Sequence, residues 1–490
     1  MSEEELETEQ KDNIELPNQD QKNDENLINT RETNKIDLNE ICDEEVMKLT
    51  EGQDFNYKEK TCSMKEGSVQ GSVFSLSSIA LGTGAFSLPI RCSQVGCFWY
   101  CIAIFLGGIA AYWTLSRLIE SAKTVKTEEY STSVKKIIGK IPAIIIDIVL
   151  MIYIYGVIIQ FNVIIYSLIG RTYLEVFGDK EKYPDFDLFQ KEIWNLYYIK
   201  FPVMFGLTFL LSPICLLKDI SKMRFVSLFG ICSLMYSILV IIIQSPWFYI
   251  HYKNKVYKEN DPSTHANWFD ISKGFTSELN FFTAIATVFF VYTCHTGVFP
   301  VYKSMNNKTE KTVNTVFFRS ILLDFIIYLS IAICGFITAP LSPEPLIIFR
   351  KSIFKNDIFM NIAKIALALD LYLCIPANYN SLRASFFILV FDTSNIDKVK
   401  NIIVTYSVML SATFIAAIFE DILSYIALLG GFFCSIIFFM VPGALMVLTS
   451  KEKVSSPKNI FRITIISILI IIGFTAGVLT VIRLLSKNKK

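Results

Sequence analysis

The sequence predicts an all-α polytopic membrane protein, and three observations predict it. Of its 490 residues, 52% are hydrophobic and only 19% are charged, for a mean hydropathy of +0.44. Soluble domains of this length are seldom so apolar. Beyond residue 68 the chain reads as about 11 apolar runs, each near the roughly 20 residues a helix needs to cross the hydrocarbon. Two of those runs carry glycine or proline where a plain span needs neither.

Residues 1–66 come first and differ from the rest. They carry 20 acidic and 8 basic side chains, against 25 and 38 in the remainder. With few aromatics and many Glu, Asn, Asp and Lys residues, this stretch cannot bury enough apolar surface to fold alone. It is expected to be a disordered, acidic, cytosolic tail. No basic region followed by an apolar core marks a cleaved signal peptide. Of the 11 cysteines, Cys101, Cys215, Cys232, Cys294, Cys334, Cys374 and Cys434 fall inside apolar runs, where they read as small packing residues. No Cys/His spacing suggests zinc and no P-loop appears, so neither a metal nor a nucleotide cofactor is expected. Nothing points to nucleic acid.

The transmembrane domain is read over 67–490. Its segments lie at 69–91, about 95–119, about 141–170, 197–217, 224–250, 279–302, about 316–340, 357–390, 401–419, 422–449 and 460–484. Those near 141–170, 357–390 and 422–449 exceed the bilayer thickness and imply tilt or overhang. Glu420-Asp421 leaves room for only a tight turn. With the N-terminus inside, the cytosolic loops hold 19 Lys/Arg and the opposite side 17, so the positive-inside rule barely discriminates. The sequon Asn307-Lys308-Thr309 is silent in that orientation.

Segment 1, VQGSVFSLSSIALGTGAFSLPIR, holds Gly82, Thr83 and Gly84 mid-span and Pro89 near its end. Irregular backbone inside a membrane survives only where it lines a cavity or is buried in protein. Segment 6, LNFFTAIATVFFVYTCHTGVFPVY, is interrupted in the same way. Thr83-Gly84-Ala85-Phe86 recurs there as Thr296-Gly297-Val298-Phe299, followed by Pro300. Paired interruptions in two halves of a chain point to a secondary transporter built from inverted repeats. A kinked span packed through small residues is the competing reading of segment 1 alone.

At these two segments the chain resembles the amino acid/auxin permease family, which has the LeuT-type fold. Gly82, Gly84, Pro89 and Gly96 match the pattern of the family's first helix, and Cys294, His295, Pro300 and Tyr302 that of its sixth. The resemblance covers all but the tail. It implies inverted repeats over about 69–250 and 279–449, an extra helix at about 460–484, a cytosolic N-terminus and a small amino acid as substrate.

Such a substrate presents a carboxylate and an ammonium. The carboxylate is expected at the amides of Thr83, Gly84 and Ala85, where a half-helix N-terminus favours negative charge and Gly82 and Gly84 allow close approach. The ammonium is expected at carbonyls near Thr293, Cys294 and His295 and from Ser78 to Leu81. Tyr153, Tyr155 and Gln160 are candidates for lining the side-chain pocket. His295 reads first as structural, then as a coupling group, then as a substrate contact.

Each ionisable residue inside a span is a functional candidate. Asp147 and Lys364 fall near span ends, Asp324 one or two turns into segment 7, and Asp370 deepest, as the proton-carrying candidate. Sodium-coupled members of the family tend to have Asn before the first break and Thr on segment 8. This chain has Ser75 and Ser78 at the first place, and Asp370 but no hydroxyl over 366–371 at the second. Proton-coupled or facilitative transport is therefore expected ahead of sodium symport, with Ser78, Leu81 and Asp370 as the coupling-ion residues. An amino acid sensor signalling through the tail is the alternative, and a membrane enzyme is not expected. The plasma membrane and a vacuolar or lysosomal membrane both fit.

Overall fold

The computed structural model describes residues 67–178, 182–183, 186–194, 196–216, 224–256, 266–276, 280–339, 344–354, 357–391 and 397–487. The acidic tail at 1–66 lies outside the described residues. Among those described, the chain is helical throughout, with no strand. Among the described residues nine helices are long and apolar enough to cross a membrane, or ten if a helix pair bent by 52° is counted as one span. The protein is an integral, polytopic, all-α membrane protein.

The bent pair is segment 1. Helix α1 (Val69–Ala80) starts at Ser68, whose hydroxyl accepts from the Gly71 amide at 3.1 Å, and stops at Leu81-Gly82. A 3₁₀ turn over Thr83–Ser87 leads into α2 (Leu88–Val95), with Pro89 in the first helical turn, where its missing N–H costs nothing. Gly96, at φ +87°, reverses the chain into α3 (Cys97–Thr124). A short amphipathic helix α4 (Tyr130–Ile137) precedes α5 (Lys140–Phe177), whose 38 residues carry it beyond the bilayer. Helices α6 (Tyr197–Cys215) and α7 (Arg224–Val256) complete the first half.

Segment 6 is broken as expected. It consists of α8 (Asn280–Val291), an irregular stretch at 292–297, and α9 (Val298–Ser304). Then come α10 (Glu310–Thr338), α11 (Ile358–Phe391) and α12 (Lys398–Ile418). The turn at Glu420-Asp421 is as tight as the sequence implies: Asp421 caps α13 (Ile422–Leu428) by accepting from the Ser424 amide at 3.2 Å. Twelve π-helical residues, Leu429–Met440, join α13 to α14 (Val441–Thr449), and α15 (Pro457–Lys487) closes the chain.

Two neighbourhoods position the site. Helix α10 lies along α1, α2, α3 and α7; helix α8 lies between α2, α15 and the π-helical stretch. The buried core runs through these elements, while α3 turns Phe105, Leu106 and Ile109 outward, each more than half exposed, as a lipid-facing surface requires. Ion pairs tie helix ends near one boundary: Arg171–Glu344 at 3.0 Å, Lys364–Glu175 at 2.6 Å, and Lys200–Glu420.

Candidate functional site

The break in segment 1 comes from failed helix propagation at glycine. Gly82 is extended (φ −136°, ψ −174°), and the amides of Thr83 and Gly84 open the 3₁₀ turn with no carbonyl before them in that turn to accept. The Ala85 amide is different: it donates to the Gly82 carbonyl at 3.1 Å, so it is not among the free donors the sequence suggested. The two glycines also differ. A side chain at Gly82 would meet nothing within 4 Å, so this side of the backbone faces open space. A Cβ at Gly84 would lie 2.7 Å from the Phe290 ring and 3.0 Å from Val291. Gly84 is therefore glycine because α8 packs on it, and only Gly82 offers the open approach expected of both.

At the second break the chain unwinds past Val291. The Thr293 hydroxyl donates to the Phe289 carbonyl at 2.5 Å, and the Gly297 amide to the Cys294 carbonyl at 3.0 Å. Cys294 and His295 are fully buried. The echoed residues sit one or two places apart in the two breaks: Gly82 precedes the turn that Thr83 and Gly84 open, whereas Gly297, the match of Gly84, is the N-cap of α9. His295 faces away from α1. Its Nε2 lies 2.8 Å from Thr114 Oγ1 on α3, and its ring lies 4.4 Å from that of Phe438. The Thr114 hydroxyl also has Ala110 O at 2.8 Å to donate to, an arrangement that suits protonation at Nε2, and Nδ1 is buried without a partner. His295 thus bridges the second break to α3.

The two breaks are joined by α10. The Tyr328 hydroxyl lies 2.8 Å from the carbonyl of Ala80, the last residue of α1, and 2.7 Å from that of Val291, the last residue of α8. Both are C-terminal carbonyls that their own helices cannot satisfy. Two turns earlier on the same face, Ser320 Oγ lies 2.8 Å from Ser77 Oγ of α1. Between them is Asp324. It is fully buried, and both carboxylate oxygens lack a hydrogen-bond partner. The spacing Ser320, Asp324, Tyr328 is i, i+4, i+8, one stripe of a helix. The sequence puts Asp324 one or two turns into segment 7; it lies near the middle of a 29-residue helix.

The other expected residues scatter. Tyr153 of α5 lies near Cys294 and Cys434, hence beside the second break. Tyr155 does not join it: its hydroxyl donates to Ser411 on α12 at 2.8 Å, because two residues along a helix turn the side chain by about 200°. Gln160 is fully buried, and neither amide atom has a partner. The Ser78 hydroxyl turns back to the Ser75 carbonyl at 2.8 Å, and the Leu81 amide to Ser77 at 2.7 Å. Asp370 is buried between α11 and α7, accepting from Cys374 Sγ at 3.4 Å beside Gly230, and it is 6% exposed where Asp324 is 0%. Asp324 is the least exposed carboxylate among the described residues.

Arg91, which the sequence reading did not single out, is buried on α2 and donates to Thr287 (3.1 Å), Gln94 (2.8 Å) and Thr283 (3.2 Å). It fixes the outer half of segment 1 to α8. Surface grooves of about 370 and 420 Å³ lie along α3, α10 and α15 and include no residue of either break.

Two helices broken side by side, with free amides at one break and shared carbonyls at both, define a membrane protein with a polar centre buried between its halves. The chain belongs to the transmembrane amino acid transporter family, whose pattern it matches over residues 65–486. It is similar to the mouse sodium-coupled neutral amino acid transporter 7, at 23% identity over 63% of this chain and 62% of the relative. It is also similar to the vacuolar amino acid transporter 5 of Saccharomyces cerevisiae, at 22% over 65% and 66%, and to a putative sodium-coupled neutral amino acid transporter 11 of cattle, at 22% over 86% and 84%. The match to the mouse protein thus spans less than two thirds of that relative's length.

Proposed function

We propose that the protein carries amino acids across its membrane by alternating access, with the substrate held between the breaks of segments 1 and 6. The observation that carries this reading is the pair of free amides at Thr83 and Gly84 beside the open face of Gly82. A carboxylate there would meet N–H groups at the start of a helical segment, where negative charge is favoured. The ammonium would be held by carbonyls of Ser78–Leu81 and Thr293–His295. The 5+5 repeat over 69–250 and 279–449 supplies two halves that can rock about this centre.

Sodium coupling is the second reading, because relatives bear that description in their names. Against it, segment 8 offers Asp370 but no hydroxyl over 366–371, so the oxygen set for a sodium ion is incomplete. We favour proton-coupled or facilitative transport. The experiment is uptake of radiolabelled amino acids by proteoliposomes, with and without a proton gradient and with and without sodium. Binding of amino acids without any flux would replace the transporter reading by the sensor reading.

A further inference from the structure

We propose that Asp324 is the group that takes up and releases the transported proton, and that its charge decides whether the two broken helices stay together. This rests on the transport reading above and adds the residue that couples it.

The carboxylate sits where an ionised group has almost nothing to hold it. It is fully enclosed; the Ser77 hydroxyl is the donor beside it, but that hydroxyl is engaged by Ser320, and neither carboxylate oxygen has a partner within hydrogen-bonding geometry. Desolvation of an isolated carboxylate favours its neutral form. Its stripe on α10 also faces the end of α1, and Tyr328, one turn on, touches the ends of both α1 and α8. Helix C-termini carry partial negative charge, so two of them oppose a carboxylate nearby.

Among the described residues, its surroundings offer no counter-charge. The titratable groups within electrostatic reach are Tyr292 and Cys294 at the second break and Tyr328 on its own helix. Helix α1 contributes the Ser77 hydroxyl. Arg91 of α2 is turned onto Thr283, Thr287 and Gln94. No charged group of α3, α7 or the 3₁₀ turn among the described residues acts on it.

A proton suits this place better than a larger cation. The carboxyl is closed off, and hydroxyls rather than an open channel surround it: Ser77 and Ser320 paired at 2.8 Å, and Tyr292 Oη buried without a partner. Protonated, Asp324 becomes a donor for such oxygens, and the closed arrangement holds. When the proton leaves an Oδ atom for water, a bare negative charge faces two negative helix ends. The relief is for α1 to move away and admit water. Proton loss therefore favours opening, and proton binding favours closure.

The test uses the full-length protein in liposomes under an acid-outside gradient, with radiolabelled amino acid and a trapped pH dye, in sodium-free and sodium buffers. The wild type should admit protons with amino acid. Asp324→Asn, neutral at every pH, should abolish that proton entry, flatten the pH profile and cut gradient-driven uptake about tenfold or more. Amino acid exchange, which needs no net proton movement, should fall by less, and Asp324→Glu should restore part of the proton entry. Wild-type proton entry per amino acid in Asp324→Asn overturns the proposal. Wild-type flux with no proton entry in either buffer overturns it too, while leaving transport intact; absence of any wild-type flux defeats the transport reading itself. Should Asp324→Asn fail to insert, a hydrophobic carbodiimide, which attacks protonated carboxyls, is applied to the wild type. Mass spectrometry should find Asp324 modified increasingly as pH falls, and less so with amino acid present. No modification at acid pH, or none that varies with pH, overturns the proposal.

Discussion

Replacing Tyr328 by Phe deletes one oxygen from the place where α1, α8 and α10 meet. The ring is fully buried and stays, so the lost term is the hydroxyl alone. Its proton is shared by the Ala80 and Val291 carbonyls at 2.8 and 2.7 Å. A buried group deprived of its partner costs about 1–3 kcal/mol, and hydrogen bonds measured inside membranes about 0.6 with a maximum near 1.7. One shared proton is worth one good bond, so the closed arrangement should lose about 1–2 kcal/mol, a roughly 5- to 30-fold rise in opening. Cys294 reports it, being fully buried at the second break. Its alkylation rate, read by peptide mass spectrometry, follows the open population. Tyr328→Phe should raise that rate by about that factor, while Cys92, equally buried on α2, keeps its own. Equal Cys294 rates in the two proteins would show that the hydroxyl does not hold the breaks together.

Gly84→Ala should lower thermal stability, since its Cβ enters the Phe290 ring at 2.7 Å, at a cost of about 1–3 kcal/mol. Gly82→Ala meets open space and should leave the melting temperature within the effect of about 0.5 kcal/mol while raising the substrate KM; a large loss of stability there would contradict the open face. Thr114→Val strips His295 of its partner and should cost about 1 kcal/mol, measured by thermal unfolding. The Lys364–Glu175 pair should respond unequally. Lys364 is 1% exposed and Glu175 27%, so Glu175→Gln strands a buried ammonium, at about 3–5 kcal/mol, and should destabilise more than Lys364→Met, whose orphan reaches solvent. With the N-terminus inside, Asn307 stays unmodified, and a glycosidase should leave the protein's mobility on a gel unchanged.

Hydropathy located the spans, and the glycines located the breaks, because both are local properties. Facing is not local. Helix α5 is apolar on all sides, so nothing in Tyr153 and Tyr155 says which one meets the second break and which meets Ser411. Asp324 was misplaced for a related reason. Its helix begins at the Thr309 cap, whose hydroxyl receives the Thr312 amide, and the polar run Glu310–Thr315 is helical without being hydrophobic. A hydropathy window opens late there, near residue 316, and so puts Asp324 one or two turns from the start rather than at the middle of Glu310–Thr338. The stripe Ser320, Asp324, Tyr328 was nonetheless legible as a spacing of four. What only the fold supplies is the other side of the contact, the two helix ends that the stripe meets.

The last helix touches the second half of the molecule at its barest point. A Cβ on Gly431 would lie 2.7 Å from the Gly477 amide nitrogen and 2.8 Å from the Gly473 carbonyl oxygen, so the two backbones meet with no side chain between them. Helix α15 also runs along α8. It acts as a splint across α8 and the π-helical stretch. If the protein rocks as proposed, α8, the π-helical stretch and α15 move as one body, and α1 is carried by α10, to which Ser77 and Ala80 tie it.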